Sequence, residues 1–297
     1  MQTTSMTALV SAFVRAYHST RDGGEVFDDP LAKALLTGEE YEGISRQMAG
    51  GVEFFQPGFR GTREEALEFI VRRHLAPSPL GRAAFAEAAL ANAAALGEEQ
   101  YLILGAGYDT FAYRQPAWAE KLTIFELDRP AALEEKRGRL ERAGLTPPDN
   151  VCFVGADLAE ADWGQKLEEH PAFSRKKVNF CSLLGLVYYL SAPDFSALLD
   201  TLGALLPKGS ALAFDYPAAG DTPSRQALLA GAAGEAMRAD YDPMALEKLL
   251  AGHGFLAYEH LNPAGITERF FGAWNRAHPD RPMESQEGVN YCLAVRQ

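Results

Sequence analysis

Apolar residues in the first third of the chain recur with a helical period. TALVSAFVRAYH (7–18) and REEALEFIVRRHL (63–75) each set their apolar side chains along one stripe, as an amphipathic helix does. DDPLAKALL (28–36) opens on an acid–proline pair, a helix N-terminus signal. GRAAFAEAALANAAALG (81–97) is rich in the best helix former, with Gly97 placed as its C-cap. The spacing predicts an N-terminal helical cap over 1–98, with no strand before Tyr101.

At Tyr101 the period changes. YLILG (101–105), LTIFELD (122–128), NVCFVGAD (150–157), KVNFCSLL (177–184) and ALAFDY (211–216) are short apolar runs, and helical stretches at 130–143, 160–170 and 194–206 separate them. Strands buried on both faces and joined by helical crossovers form a parallel sheet. A Gly/Ala/Pro-rich segment (217–234), a helix at 243–252 and strands at 255–261 and 290–296 follow. The prediction is an α/β fold: a doubly wound, Rossmann-like, seven-stranded, mostly parallel sheet over 99–297. A lid insertion at about 217–240, after the fifth strand, would cover the carboxyl edge. The cap and the core are expected to form one integrated domain.

Composition narrows the partners. Hydrophobic residues make up 47% of the 297, enough for a sizeable core, and the net charge of -12 repels nucleic acid and anionic membrane. The cysteines, Cys152, Cys181 and Cys292, form no CxxC, and His18, His74, His170, His253, His260 and His278 lack metal spacing. No metal site is therefore expected. Arg15 and His18 interrupt the only apolar part of the first twenty residues, so neither a signal peptide nor a membrane span is expected, and the expected location is cytoplasmic. The acid pairs Glu39-Glu40, Glu64-Glu65 and Glu134-Glu135 read as solvated helix faces. The cap aromatics Phe13, Tyr17, Phe27, Phe54 and Phe55 read as core.

Three strand ends carry the chemistry, because ligands of doubly wound sheets bind outside the carboxyl ends of the strands. The first ends in Gly105-Ala106-Gly107, where a chain without Cβ atoms can touch a ligand. The second ends Glu126-Leu127-Asp128, with an acid in reach of ribose hydroxyls. The third ends Asp157-Leu158, an acceptor for an exocyclic amine beside an apolar cover for a base. Together they describe an adenosine site. A dinucleotide loop wants a third glycine at position 110, where this chain has Thr, and Asp109 would repel a diphosphate. S-adenosyl-L-methionine carries cationic groups and no phosphate, so Asp109 is tolerable near the cation or useful as a cap.

LGAGYDTFAYR, FELDRPAALEEKRGRL, FVGADL, LLGLVYYL and FDYP resemble class I S-adenosylmethionine-dependent methyltransferases of the leucine carboxyl methyltransferase-like family, in its bacterial O-methyltransferase branch. The likeness runs from about residue 7 to the C-terminus and is densest over 72–216. It implies cofactor contacts from Gly105, Ala106, Gly107, Glu126, Leu127, Asp128, Asp157 and Leu158. It also implies an arginine on the cofactor carboxylate: Arg82 within RHLAPSPLGRAAFAE, followed by Glu87, with Arg72 and Arg73 as competitors. Many relatives have an arginine where this chain has Phe111, and eukaryotic ones have a glutamate where it has Leu184, the remaining cofactor-contact candidate.

The implied reaction is transfer of a methyl group to oxygen of a small-molecule carboxylate or hydroxyl, by in-line displacement that needs no catalytic triad. Tyr188, Tyr189 and Arg269 are the substrate-side candidates, with Asp215, Tyr216 and His260 behind them; an apolar or aromatic acceptor is expected. The rival readings are a cofactor-binding homologue without turnover and an NAD(P)-dependent oxidoreductase.

Overall fold

The computed structural model describes residues 5–220, 231 and 237–297. The first third is helical: α1 (Met6–Arg21), α2 (Gly38–Gly50), α3 (Arg63–Ile70) and α4 (Pro77–Leu96). Gly97 closes α4 in the left-handed conformation, φ 111°, with its amide on the Ala93 carbonyl. Helix α2 was not anticipated, although Thr37 and Glu40 announce it: each caps the other's backbone amide in a capping box. The acid–proline start at 28–36 yields only a short 3-10 turn, Ala32–Leu35, and 63–75 continues past α3 as a π-helical turn, Val71–Leu75.

Strands β1 (Gln100–Leu104), β2 (Thr123–Asp128), β3 (Val151–Gly155), β4 (Asn179–Leu183), β5 (Ala211–Pro217), β6 (Phe255–Leu261) and β7 (Val289–Arg296) form one sheet in the order β3-β2-β1-β4-β5-β7-β6. Pairs among β1 to β5 are parallel; β7 runs antiparallel to β5 and β6. Between the strands lie α5 (Pro130–Arg142), α6 (Trp163–Glu168), α7 (Ala192–Leu205) and α8 (Pro243–Gly252). Helix α6 is shorter than the 160–170 expected.

The strand period sorts side chains to the two faces. Tyr101 and Ile103 join a core with Phe13, Tyr17, Leu80 and Phe85 from the N-terminal helices. Leu102 and Leu104 join a second core with Phe125, Trp163, Phe195 and Leu199. The N-terminal helices thus cover one sheet face. Strand order reverses between β1 and β4, which puts the crevice of a doubly wound sheet beside the glycine turn after β1. Residues 221–230 and 232–236 of the expected lid lie outside the described residues. At its ends, Ala218 bridges Tyr241 and the Arg238 amide donates to the Tyr188 carbonyl. No helix among the described residues is long and apolar enough to cross a membrane.

Candidate functional site

A cleft of roughly 2230 Å³ opens over the carboxyl ends of β1 to β5. Ligand pockets commonly occupy about 300–1,000 Å³, so this cleft has room for two molecules side by side. Gly105, Ala106, Gly107, Asp109, Asp128, Asp157, Leu158, Leu184, Arg82 and Tyr189 all line it.

The glycine turn is fixed from two sides. Gly105 and Ala106 both donate to the Leu127 carbonyl, at 2.9 and 3.0 Å, and Gly107 N–H donates to Asp128 Oδ2 at 2.8 Å. Gly105 has φ 74°, and a Cβ there would press on Leu186 at 3.0 Å. Asp109 lines the cleft but spends one oxygen on the Phe111 amide at 2.7 Å, so it caps the short turn that follows. Phe111 itself is buried edge-on against Tyr101. Asp157 likewise accepts from the Ala159 amide at 3.0 Å.

Thr110, the residue in place of a third glycine, works through its hydroxyl. It donates to Asp29 Oδ1 at 2.7 Å and accepts from Arg114 Nε at 3.0 Å. Asp29 is fully buried and also receives Arg15, which in turn donates to the Tyr108 carbonyl at 2.7 Å. Arg114 closes on Glu87 with both ends of its fork. This bracket ties the N-terminal helices to the glycine loop. Its signal was in the sequence: a charged residue inside the apolar stripe of α1 wants a buried partner.

Arg82 is held more loosely. Its Nη1 lies 3.4 Å from Asp215 Oδ2 and its Nη2 3.5 Å from Ser11 Oγ. Of its competitors, Arg72 is buried in pairs with Asp22 and Glu68 and does not line the cleft, whereas Arg73 lines it with an exposed side chain.

Several expected site residues lie elsewhere. Glu126 and Leu127 are fully buried and off the cleft wall. Glu126 Oε2 pairs with Lys136 Nζ at 2.8 Å, and burial pushes its carboxyl above the usual range. Tyr188 is buried, and burial raises its phenol's pKa well above the ordinary value; Tyr216 is also buried and hydrogen-bonds His260. Arg269 pairs with Glu259 of β6 and does not line the cleft. Tyr189 alone of the substrate-side candidates reaches the wall. Phe54 and Phe55, read as core, line the cleft, and Phe55 stacks on His74 at 4.6 Å. The segment Pro282–Gly288 contributes wall that periodicity could not have assigned. The acid pairs are not all solvated faces: Glu40 and Glu135 both hold Arg139. Among the described residues no cluster could hold a metal ion.

Comparison with known proteins agrees with this architecture. The leucine carboxyl methyltransferase family model matches residues 8–203. A Bacillus subtilis (strain 168) protein named as an S-adenosyl-L-methionine-dependent methyltransferase, YktD, is 36% identical over 99% of this chain and 98% of its own length. A Frankia alni protein named in the same way is 33% identical over 72% of this chain and 69% of its own. The crystal structure of a DUF574 family protein from Streptomyces avermitilis shares the fold, with TM-score 0.58 and 18% identity, covering 86% of this chain and 100% of that one. The chain belongs to the leucine carboxyl methyltransferase family and, with it, to the S-adenosyl-L-methionine-dependent methyltransferases.

Proposed function

We propose that the chain methylates an oxygen atom of a small apolar carboxylic acid or alcohol, with S-adenosyl-L-methionine as donor. The observation that carries the cofactor half is the pair of carboxylates, Asp128 and Asp157, at consecutive strand tips on one cleft wall beside the glycine turn. Asp128 accepts from ribose hydroxyls, Asp157 accepts from the base amine, and Leu158 covers the ring. Arg82, whose contacts at 3.4 and 3.5 Å leave most of its donors uncommitted, takes the cofactor carboxylate. When bound, the cofactor supplies a methyl group on a sulfonium whose leaving thioether is neutral.

The chain's own contribution is to align the acceptor and keep water out. Leu184, Leu186 and Leu190 wall the cleft on the β4 side; Met48, Phe54, Phe55 and Leu75 wall it on the helical side. These surfaces favour an apolar acceptor, and Arg73 on the same wall suits an anionic one. A carboxylate needs no general base to react.

The test has two stages. S-adenosylhomocysteine should raise the melting temperature, while NAD(H) and NADP(H) should not; stabilisation by the dinucleotides alone overturns the reading. Labelled methyl from the cofactor should then pass to members of a panel of aromatic and aliphatic acids and phenols. Binding without transfer to any of them would favour the non-catalytic alternative.

A further inference from the structure

A buried carboxylate off the cleft wall, next to Arg82, takes no part in the proposed function. Asp215, on β5, is fully buried, yet groups from two other elements converge on it. Its Oδ1 accepts from the Gly185 amide at 2.6 Å, and its Oδ2 faces Arg82 Nη1 at 3.4 Å. Gly185 follows β4 with φ 68°, and a Cβ built on it would collide with the Arg82 guanidinium. Glycine is needed there twice over, for the left-handed backbone and for the close approach. Tyr188 and Tyr291 bury their phenols in the field of the same pair; burial, then the Asp215 charge, keeps both protonated.

A buried guanidinium without a counter-charge is costly, so Arg82 cannot stand in this wall alone. Strong charge-assisted hydrogen bonds close to about 2.7–2.9 Å. The Asp215 contact is longer, so it neutralises the guanidinium without consuming the fork. We propose that Asp215 is a positioning residue: it seats Arg82 against the Gly185 turn and leaves the remaining N–H groups for the carboxylate at the amino-acid end of the cofactor. This rests on the cofactor reading above. It adds that the grip on the amino-acid end is shared among α4, the turn after β4, and β5.

The experiment compares two ligands by calorimetry. S-adenosylhomocysteine carries the amino-acid end; 5′-deoxy-5′-methylthioadenosine keeps the adenosine and lacks it. Asp215→Asn preserves shape and an acceptor for Gly185 but removes the charge. It should weaken S-adenosylhomocysteine about tenfold, the scale of one charge-assisted hydrogen bond, and leave methylthioadenosine unchanged. In an Arg82→Met background the same change should add nothing. Gly185→Ala, whose Cβ would push on the guanidinium, should show the same ligand split and serves where Asp215→Asn does not fold. Unchanged S-adenosylhomocysteine affinity overturns the inference. So does an equal loss for both ligands, or the same tenfold loss without Arg82. A wild-type protein that bound neither nucleoside would overturn the cofactor reading, and this inference with it. Wild-type binding with no ligand split overturns the inference alone.

Discussion

Arg114 and Arg82 stand on the wall of one cleft, with side chains 13% and 17% exposed, and are held in opposite ways. Arg114 is saturated: Glu87 takes both ends of its fork, Thr110 takes Nε at 3.0 Å, and Phe27 lies under its plane at 4.8 Å. Arg82 touches Asp215 at 3.4 Å and Ser11 at 3.5 Å. Burial is nearly the same, so burial does not tell these two arginines apart; saturation does. A filled guanidinium joins parts of the fold. An underfilled one, kept in place by a single counter-charge, has donors left for a ligand.

The filled cluster should break first and hardest. Asp29→Ala removes the acceptor shared by Arg15, Thr110 and the Ala32 amide. Stranding buried cations in this way costs about 3–5 kcal/mol, to be read from urea unfolding at neutral pH. A loss below about 1 kcal/mol would mean that the bracket does not hold the helices to the glycine loop. Asp128→Ala comes next and acts on ligand affinity. It strands the Gly107 amide and the proposed ribose hydroxyls, so S-adenosylhomocysteine binding should weaken by roughly 1–3 kcal/mol. Unchanged calorimetric titrations would remove Asp128 from the ribose role. Arg82→Lys keeps the charge beside Asp215 but loses the fork. It should weaken the same ligand by about 1.4 kcal/mol, or tenfold, with little change in melting temperature. If melting falls and affinity does not, Arg82 belongs with Arg114.

This contrast also marks what a reader of the sequence could see. Strand tips are legible because they follow from period and order. An apolar run buried on both faces must be a central strand, and the residues just past it must face the crevice; Gly105, Asp128 and Asp157 are found this way. Glu126 fails the same reasoning, because two residues of strand separate a cleft-facing acid from one that meets Lys136 in the interior. Saturation is less legible still. Arg82 and Arg114 differ by which distant acids reach them, Asp215 and Glu87, and sequence spacing does not encode that. Phe54 and Phe55 carry the composition of core but sit on a helical turn at the cleft rim, where a tertiary edge decides exposure.

A third arginine tests whether saturation or location sets the size of the effect. Arg139 on α5 is as filled as Arg114: Glu40 takes Nη1 and Nη2 at 2.8 Å, Glu135 takes Nη2 at 2.8 Å, and the Leu35 carbonyl accepts at 2.9 Å. Its partners are at the rim, with the Glu40 side chain 27% exposed. The Arg139 hydrogen bond outweighs burial and holds the Glu40 carboxyl down to about 2 from an ordinary 4.5. A carboxyl lowered by folding stabilises the native state above its unfolded pKa and loses that contribution as pH falls through the folded one. Glu40→Gln should therefore cost about 1 kcal/mol at pH 7, a value reduced for solvent screening. The gap between variant and wild type should begin to shrink below pH 4.5 and should close near pH 2. Urea melts at pH 7, 4 and 2.5 measure it. A gap that stays constant across that range would mean that Glu40 acts by packing and not by charge. A gap as large as that of Asp29→Ala would mean that saturation alone, wherever the arginine sits, sets the cost.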